Sequence, residues 1–289
     1  MIVKAIGGFY YVLVPEDGTI CRCRARGRFK KEGLSIVVGD DVEFSHLSAT
    51  EGVLESIFSR RTILKRPAIA NIEQVIVICS ILDPPLSLQL VDRLLVLAEE
   101  RQIGAVICLN KVDLAKDDEI LKVQDLYISL GYDVICTSAL HGNGIDLLKD
   151  ALAGKVSVLS GSSGVGKSTL LNKLYDEIED QRTGDISEKL GRGRHTTRHV
   201  ELFPLKGGGM VADTPGFSQL SLEGIDDQQL PLCFPEFKKY ADQCRYSNCR
   251  HNNEPDCGVR DALMDGHISA SRYNNYLSFL AEVQDRKEP

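Results

Sequence analysis

Gly161-Ser-Ser-Gly-Val-Gly-Lys-Ser-Thr169 constrains the fold of this chain more than any other stretch. Val156-Ser-Val-Leu-Ser160 ahead of it is an apolar run of strand length, and Thr169-Leu-Leu-Asn-Lys-Leu174 behind it has a helical start. A strand must therefore end, the backbone must turn through glycines, and a helix must begin, all between Gly161 and Thr169. That path turns backbone N–H groups inward and aims a helix N-terminus at one spot, which makes a cradle for phosphate. The residues Gly161, Ser162, Ser163, Gly164, Val165, Gly166, Lys167, Ser168 and Thr169 fit G-x-x-x-x-G-K-[ST]. In such a loop Lys167 reaches the β- and γ-phosphates of a nucleoside triphosphate, and the Ser168 hydroxyl ligates Mg²⁺.

The loop alone does not choose the base. Asn110-Lys111-Val112-Asp113 does, following the buried-strand run Ala105-Val-Ile-Cys-Leu109. A carboxylate at Asp113 can accept from both the N1–H and the exocyclic N2–H₂ of guanine, and adenine offers neither in that arrangement. Asn110 would tie this loop to the base and to the phosphate loop. Three weaker elements fall where a GTP-binding site needs them. Ser138-Ala139, after the strand Asp133-Val-Ile-Cys136, suits the loop that supports guanine O6. Asp213-Thr-Pro-Gly216 follows an apolar run, with Asp213 holding Mg²⁺ through water and the Gly216 N–H sensing the γ-phosphate. Gly191-Arg-Gly-Arg-His-Thr-Thr-Arg198 suits a first switch loop, in which Thr196 or Thr197 closes on Mg²⁺.

The order of these elements is rotated. Ordinary small GTPases run phosphate loop, switch threonine, D-x-x-G, N-K-x-D, S-A. Here N-K-x-D at Asn110 and S-A at Ser138 come first, and Gly161, Thr197 and Asp213 come after. The site can still be assembled, because function depends on where strand ends meet. Past Asp213 a cysteine cluster reads Cys244-x₄-Cys249-x-His251-x₅-Cys257. Three thiolates and an imidazole close a tetrahedral shell and favour zinc over the hard cations. Four protein ligands leave no open position, so one structural zinc per chain is expected. The alternatives are reduced thiols in a loop or a disulfide. Cys233 lies too far upstream to be needed and reads as a packing residue.

With these motifs in hand, the chain resembles the RsgA (YjeQ) family of circularly permuted GTPases. The residues that carry the resemblance are Asn110-Lys-Val-Asp, Gly161 to Thr169, Gly193-Arg-His-Thr-Thr, Asp213-Thr-Pro-Gly-Phe and the cysteine cluster. It spans nearly the whole chain and implies an α/β P-loop GTPase, circularly permuted, with an N-terminal β-barrel (OB-fold) and a C-terminal α-helical zinc-binding domain. It further implies binding to rRNA and the small ribosomal subunit, GTP hydrolysis to GDP stimulated by that subunit, and a role in late subunit maturation.

The sequence divides accordingly. Residues 1–66 read as short strands separated by turns, of the OB or SH3-like barrel kind. Residues 67–222 alternate buried strands with helices, the signature of a mainly parallel sheet covered on both faces. Residues 223–289 hold the cysteines and a helical tail. The net charge of −7 hides a split, because residues 1–66 carry eleven Lys/Arg against eight Asp/Glu, a balance of +3 that leaves −10 for the rest. Arg22, Arg24, Arg26 and Arg28 alternate, which predicts four arginines on one strand face. That face is either a strip for a polyanion such as RNA or a charge-blunted edge. No apolar run reaches the ~18–20 residues of a membrane helix, and no signal-peptide core follows Met1. The expectation is a cytoplasmic monomer without membrane contact.

After D-T-P-G, where Ras-like GTPases place a water-orienting glutamine, stands Phe217. A phenyl ring cannot position water, so intrinsic hydrolysis should be slow. The candidate catalytic groups are Lys167, Thr197 and His195, whose imidazole can orient a water or alternatively contact rRNA phosphate or pack. Two rivals explain less. A small-molecule kinase leaves N-K-x-D and D-T-P-G unused, and a binding module with a dead site leaves Lys167, Ser168 and Asp213 unused. Finally, Asp213 to Gln219 leads through the acidic connector Glu223-Gly-Ile-Asp-Asp227 into the zinc domain. The strand at 75–81 is expected beside the D-T-P-G strand. Both suggest mechanical routes out of the second switch.

Overall fold

Alternation builds the first sheet. In β3 (Ile20–Ala25) the thiols of Cys21 and Cys23 are buried while Arg22 and Arg24 face water, as a side-chain period of two requires. β1 (Ile2–Ile6), β2 (Phe9–Leu13), β4 (Val42–His46) and β5 (Glu51–Ile57) complete a five-stranded sheet of order β1-β2-β3-β5-β4. All its pairs are antiparallel except β3 with β5, in keeping with the partly open, five-stranded OB barrel. The four-arginine strand face needs correction. The strand stops at Ala25, and α1 (Gly27–Lys31) starts two residues on, so Arg26 sits at the junction and Arg28 on the helix. Gly27 favours the break, since glycine weakens strands. All four arginines are nonetheless exposed. A short hairpin, β6 (Ile63–Lys65) with β7 (Ala68–Ala70), follows the barrel.

A computed structural model of the chain describes residues 1–15, 17–65, 68–175, 200–213 and 221–286. It forms two compact units: Met1–Val75, Ile145–Leu159 and Lys167–Phe217 in the first, and Ile76–Gly144, Ser160–Gly166 and Ser218–Pro289 in the second. The division runs through β8 (Gln74–Cys79), a strand buried at every position, as an apolar run in a covered parallel sheet should be.

In the second unit β8, β9 (Gly104–Leu109) and β10 (Asp133–Cys136) lie in that order, with β9 and β10 parallel. The connecting helices are α2 (Leu88–Glu100) and α3 (Asp117–Ile128). Ser87 caps α2 by accepting from the Leu90 N–H at 3.3 Å. In the first unit α4 (Ile145–Leu152) leads to β11 (Val156–Ser160), and α5 (Lys167–Tyr175) follows the phosphate loop. At the foot of β8, Glu73 N donates to Val156 O at 2.9 Å, and the Gln74 amide donates to Ser157 Oγ at 2.9 Å. β13 (Met210–Asp213) pairs with β11 in parallel and with β12 (Leu202–Pro204) antiparallel. Both flanks of β13 are thus taken, and the strand at 75–81 is not its neighbour. Chain order cannot show this, because β11 enters the sheet between strands that precede and follow it in sequence.

The cysteine-rich segment also belongs to the second unit. Three 3-10 turns, at Leu230–Cys233, Pro235–Lys239 and Ala241–Gln243, lead to α6 (Gly258–Met264) and α7 (Ala270–Asp285). Their core contains Phe234, Phe237, Tyr276 and Phe279, and it also takes in Val96 and Leu97 of α2. Burying each such apolar side chain contributes about 1.5–3 kcal/mol. The acidic connector is packed against this core. Leu222 and Ile225 lie in this core, and buried Asp227 pairs with Arg250 at 2.7 Å. Cys233 is buried in the same core, as a packing residue would be.

Candidate nucleotide and metal sites

The phosphate loop folds because two of its glycines stand where no side chain fits. A Cβ on Gly161 would lie 2.0 Å from the Ile78 carbonyl oxygen, at the end of β8. At Gly166, φ is +95° and a Cβ would meet Asn110 Nδ2 at 2.4 Å. The second contact matters most, because it brings the N-K-x-D side chain against the loop. Asn110 Nδ2 donates to Val165 O at 2.8 Å. Its Oδ1 accepts from Thr137 Oγ1 at 3.0 Å and from Ala139 N at 3.1 Å. One buried amide thus joins residues 110, 137–139 and 165, which the sequence keeps far apart.

Lys111 takes the left-handed conformation, φ 60° and ψ 36°, and its ammonium pairs with Asp83 at 2.9 Å. That turn presents Asp113, whose carboxylate accepts from Ser138 Oγ at 2.5 Å. The Ser138 hydroxyl, with smaller help from His141 and Lys111, holds the Asp113 carboxyl below the usual carboxylate range. A carboxylate kept ionised and only part-exposed is suited to two N–H donors of a guanine edge. Val112 opens the 3-10 turn that carries Asp113.

Beyond Gly166 the chain enters α5, where Lys167 is half-buried and Ser168 and Thr169 are exposed at the first turn. The β11–β13 register sets Asp213 opposite Leu159, two residues before Gly161. His195, Thr196, Thr197, Gly216 and Phe217 lie outside the described residues.

The metal cluster is assembled by a tight knuckle. His251 and Asp256 both take positive φ, 54° and 52°, unusual for residues with a side chain. The Glu254 carboxylate accepts from the backbone N–H groups of Arg250 at 2.8 Å and Asn252 at 2.9 Å. Tyr273 Oη donates to His251 O at 2.6 Å from α7. The donor atoms of Cys244, Cys249, His251 and Cys257 consequently lie within 4.8 Å of one another. His251 Nδ1 is 3.5 Å from Cys244 Sγ and 3.4 Å from Cys257 Sγ, and the two sulfurs are 3.9 Å apart. Tetrahedral zinc, with Zn–S of about 2.3 Å and Zn–N of about 2.0 Å, sets its ligands roughly 3.5–3.8 Å apart. The residues fit. Burial holds the His251 imidazole toward its neutral, metal-binding form and pushes the Cys249 thiol up to about 12.

On the barrel, the guanidinium groups of Arg22 and Arg24 sit 4.9 and 4.8 Å from the Phe9 ring centroid. Arg22 pairs with Glu51 and Arg26 with Glu55, so part of the basic strip is neutralised locally. Sequence reading missed Asp83, His141 and Glu254. Only Asp83, in the turn signal Asp-Pro-Pro, had a local cue.

Family models and relatives agree with this arrangement. A model described as RsgA GTPase matches residues 57–223, and one described as RsgA N-terminal domain matches residues 1–54. The small ribosomal subunit biogenesis GTPase RsgA of Geobacillus sp. (strain WCH70) is 48% identical over 290 residues, covering 99% of this chain and 97% of its own. RsgA from Moorella thermoacetica is 47% identical over 286 residues, with the same coverage of 99% and 97%. The crystal structure of YjeQ from Thermotoga maritima superposes with a TM-score of 0.86 at 36% identity, over 98% of this chain and 97% of that one. YloQ, described as a circularly permuted GTPase, gives 0.84 at 35% identity, over 100% and 95%. The chain belongs to the RsgA family of circularly permuted GTPases.

Proposed function

We propose that this GTPase works on the small ribosomal subunit, binding rRNA and hydrolysing GTP to GDP and phosphate during late subunit maturation. The observation that carries this reading is the Asn110 side chain, which binds Val165 O and Ala139 N together and so brings the base loop to the phosphate loop. Asp113 reads the guanine edge, with Ser138 and Ala139 supporting O6. Gly161 to Gly166 surround the phosphates, and Lys167 reaches the β- and γ-oxygens. Ser168 and Thr197 would hold Mg²⁺, with Asp213 acting through water; the ion supplies charge neutralisation on the phosphates. Gly216 senses the γ-phosphate, and His195 orients the attacking water that Phe217 cannot.

The work divides among a barrel of residues 1–66, a GTPase domain of 67–222 and a zinc domain of 223–289. Cys244, Cys249, His251 and Cys257 would hold one structural zinc, and the basic barrel face would contact rRNA as a cytoplasmic monomer does when it docks on a subunit. Among the described residues, no helix is long and apolar enough to cross a membrane. Because Leu222, Ile225 and Asp227 are fastened to the cysteine-rich core, the second switch runs into a fixed module rather than a slack linker. Loss of the γ-phosphate then acts directly on that module, and two tethered weak contacts separate together.

Sedimentation with isolated small subunits tests this. A non-hydrolysable GTP analogue should hold the protein on the subunit about tenfold more tightly than GDP, a typical coupling. Equal binding with both nucleotides would remove the subunit switch from the reading.

A further inference from the structure

The carboxylate that faces guanine has a second neighbour that the nucleotide-site motifs do not include. His141 Nε2 lies 3.9 Å from Asp113 Oδ2, on the oxygen opposite the one that accepts from Ser138. Its place is set by the loop and not by chance exposure. Ser138 O accepts from Gly142 N at 2.8 Å, and Ser138 N donates to Asn143 O at 3.0 Å. His141 N itself points at Ser138 Oγ, at 3.4 Å. The same tight turn therefore delivers a hydroxyl to one oxygen of Asp113 and an imidazole toward the other. The remaining charges nearby are Lys111 and its partner Asp83, and Lys111 is already committed at 2.9 Å.

We propose that His141 is a positioning residue for guanine recognition, holding the Asp113 carboxylate between itself and Ser138 so that both oxygens stay aimed at the base. This rests on Asp113 being the guanine reader. Each carboxylate oxygen has two acceptor sites. Ser138 donates to one oxygen and His141 lies beside the other, which leaves acceptor sites on both oxygens for N1–H and N2–H₂ of the base. Without His141 the carboxylate can rotate about its Cβ–Cγ bond, pivoting on Ser138, and part of the bound population is lost. At 3.9 Å the contact is electrostatic and not a hydrogen bond, and His141 is 56% exposed. Its effect therefore belongs to the range of exposed pairs, roughly two- to fivefold in an equilibrium constant.

Fluorescent GDP and GTP analogues titrated into the full-length protein give the test. His141→Ala should weaken both nucleotides by about two- to fivefold, and His141→Lys, which restores a cation at that place on the loop, should recover most of that loss. The same substitution is then made in Asp113→Asn protein and measured with xanthosine triphosphate. With the carboxylate gone, His141→Ala should change affinity by less than ~1.5-fold, because an electrostatic partner has nothing to hold. Unchanged affinity in the first background overturns the proposal. So does an equal loss in both backgrounds, which would mean that His141 only shapes its loop. Should Asp113→Asn keep its preference for GTP over xanthosine triphosphate, the guanine-reader assignment fails and the role of His141 fails with it; that result is distinct from the other two.

Discussion

Removing the Arg272 guanidinium should unfold the cysteine-rich half of the second unit under mild conditions. Arg272 is fully buried, on α7. Its Nε and Nη2 donate to the two oxygens of Glu236 at 2.8 and 3.1 Å, and Nη1 donates to Asp92 Oδ1 at 2.8 Å. Asp92 also accepts from Tyr127 Oη at 2.9 Å and from Asn275 Nδ2 at 2.6 Å, and the guanidinium stacks 4.6 Å from the Phe234 centroid. Burial works against the charge of Arg272, and the two carboxylates more than reverse it, so the guanidinium stays above the ordinary arginine range. Arg272→Met keeps the stem volume but leaves two buried carboxylates without their cation. Breaking a buried pair in this way costs about 3–5 kcal/mol, against a total of roughly 5–15 kcal/mol for a domain. Urea unfolding followed by far-UV circular dichroism should show the midpoint of this unit falling by about 1–5 M, taking m near 1–3 kcal/mol/M. Adding Asp92→Asn and Glu236→Gln to the variant should restore part of the loss, since neutral amides tolerate burial better. A destabilisation below ~1 kcal/mol for Arg272→Met, or no recovery in the triple variant, would refute the charge argument.

Other expectations are simpler to read. Gly166→Ala forces a Cβ to within 2.4 Å of Asn110 at φ +95°, so strain of about 1–3 kcal/mol should weaken guanine nucleotide binding some five- to 150-fold in a fluorescence titration. Cys249→Ser should lower the zinc content from about one per chain in elemental analysis and make the C-terminal part more sensitive to protease. Burial pushes the Glu254 carboxyl up, but backbone N–H groups of Arg250, Asn252 and Asn253 outweigh it, and the carboxyl ends below the ordinary glutamate range. A depressed value means that the charged form stabilises the fold above the unfolded-state pKa, and that this contribution is lost as pH falls through the folded value. The stability difference between wild type and Glu254→Gln should therefore be present near pH 7 and vanish in strong acid, as thermal unfolding across pH will show.

What could be read in advance follows a physical line. Gly161 to Thr169 and Asn110 to Asp113 were legible because backbone conformation and hydrogen-bonding chemistry restrict those residues locally. The four metal-binding candidates were legible because a knuckle brings ligands together over a short span. Arg272 was invisible: it makes its contacts across 36 and 180 residues, to Glu236 and Asp92, and nothing in a helical tail marks one arginine as buried. The packing of the acidic connector was not legible for the same reason, since Asp227 meets its partner Arg250 only in the folded chain. The arginine strip was half right. Alternation predicted its exposure, but Gly27 ends the strand before the pattern does.

Steady-state nucleotide turnover with and without isolated small ribosomal subunits tests the GTPase reading. Hydrolysis of GTP by the protein alone should be slow, because Phe217 stands where a water-orienting side chain is needed. Turnover should rise roughly 10²-fold or more when subunits supply or position that group, with Lys167→Ala inactive and ATP not hydrolysed in either condition. Turnover of GTP that is the same with and without subunits, or equal turnover of ATP, would contradict that reading.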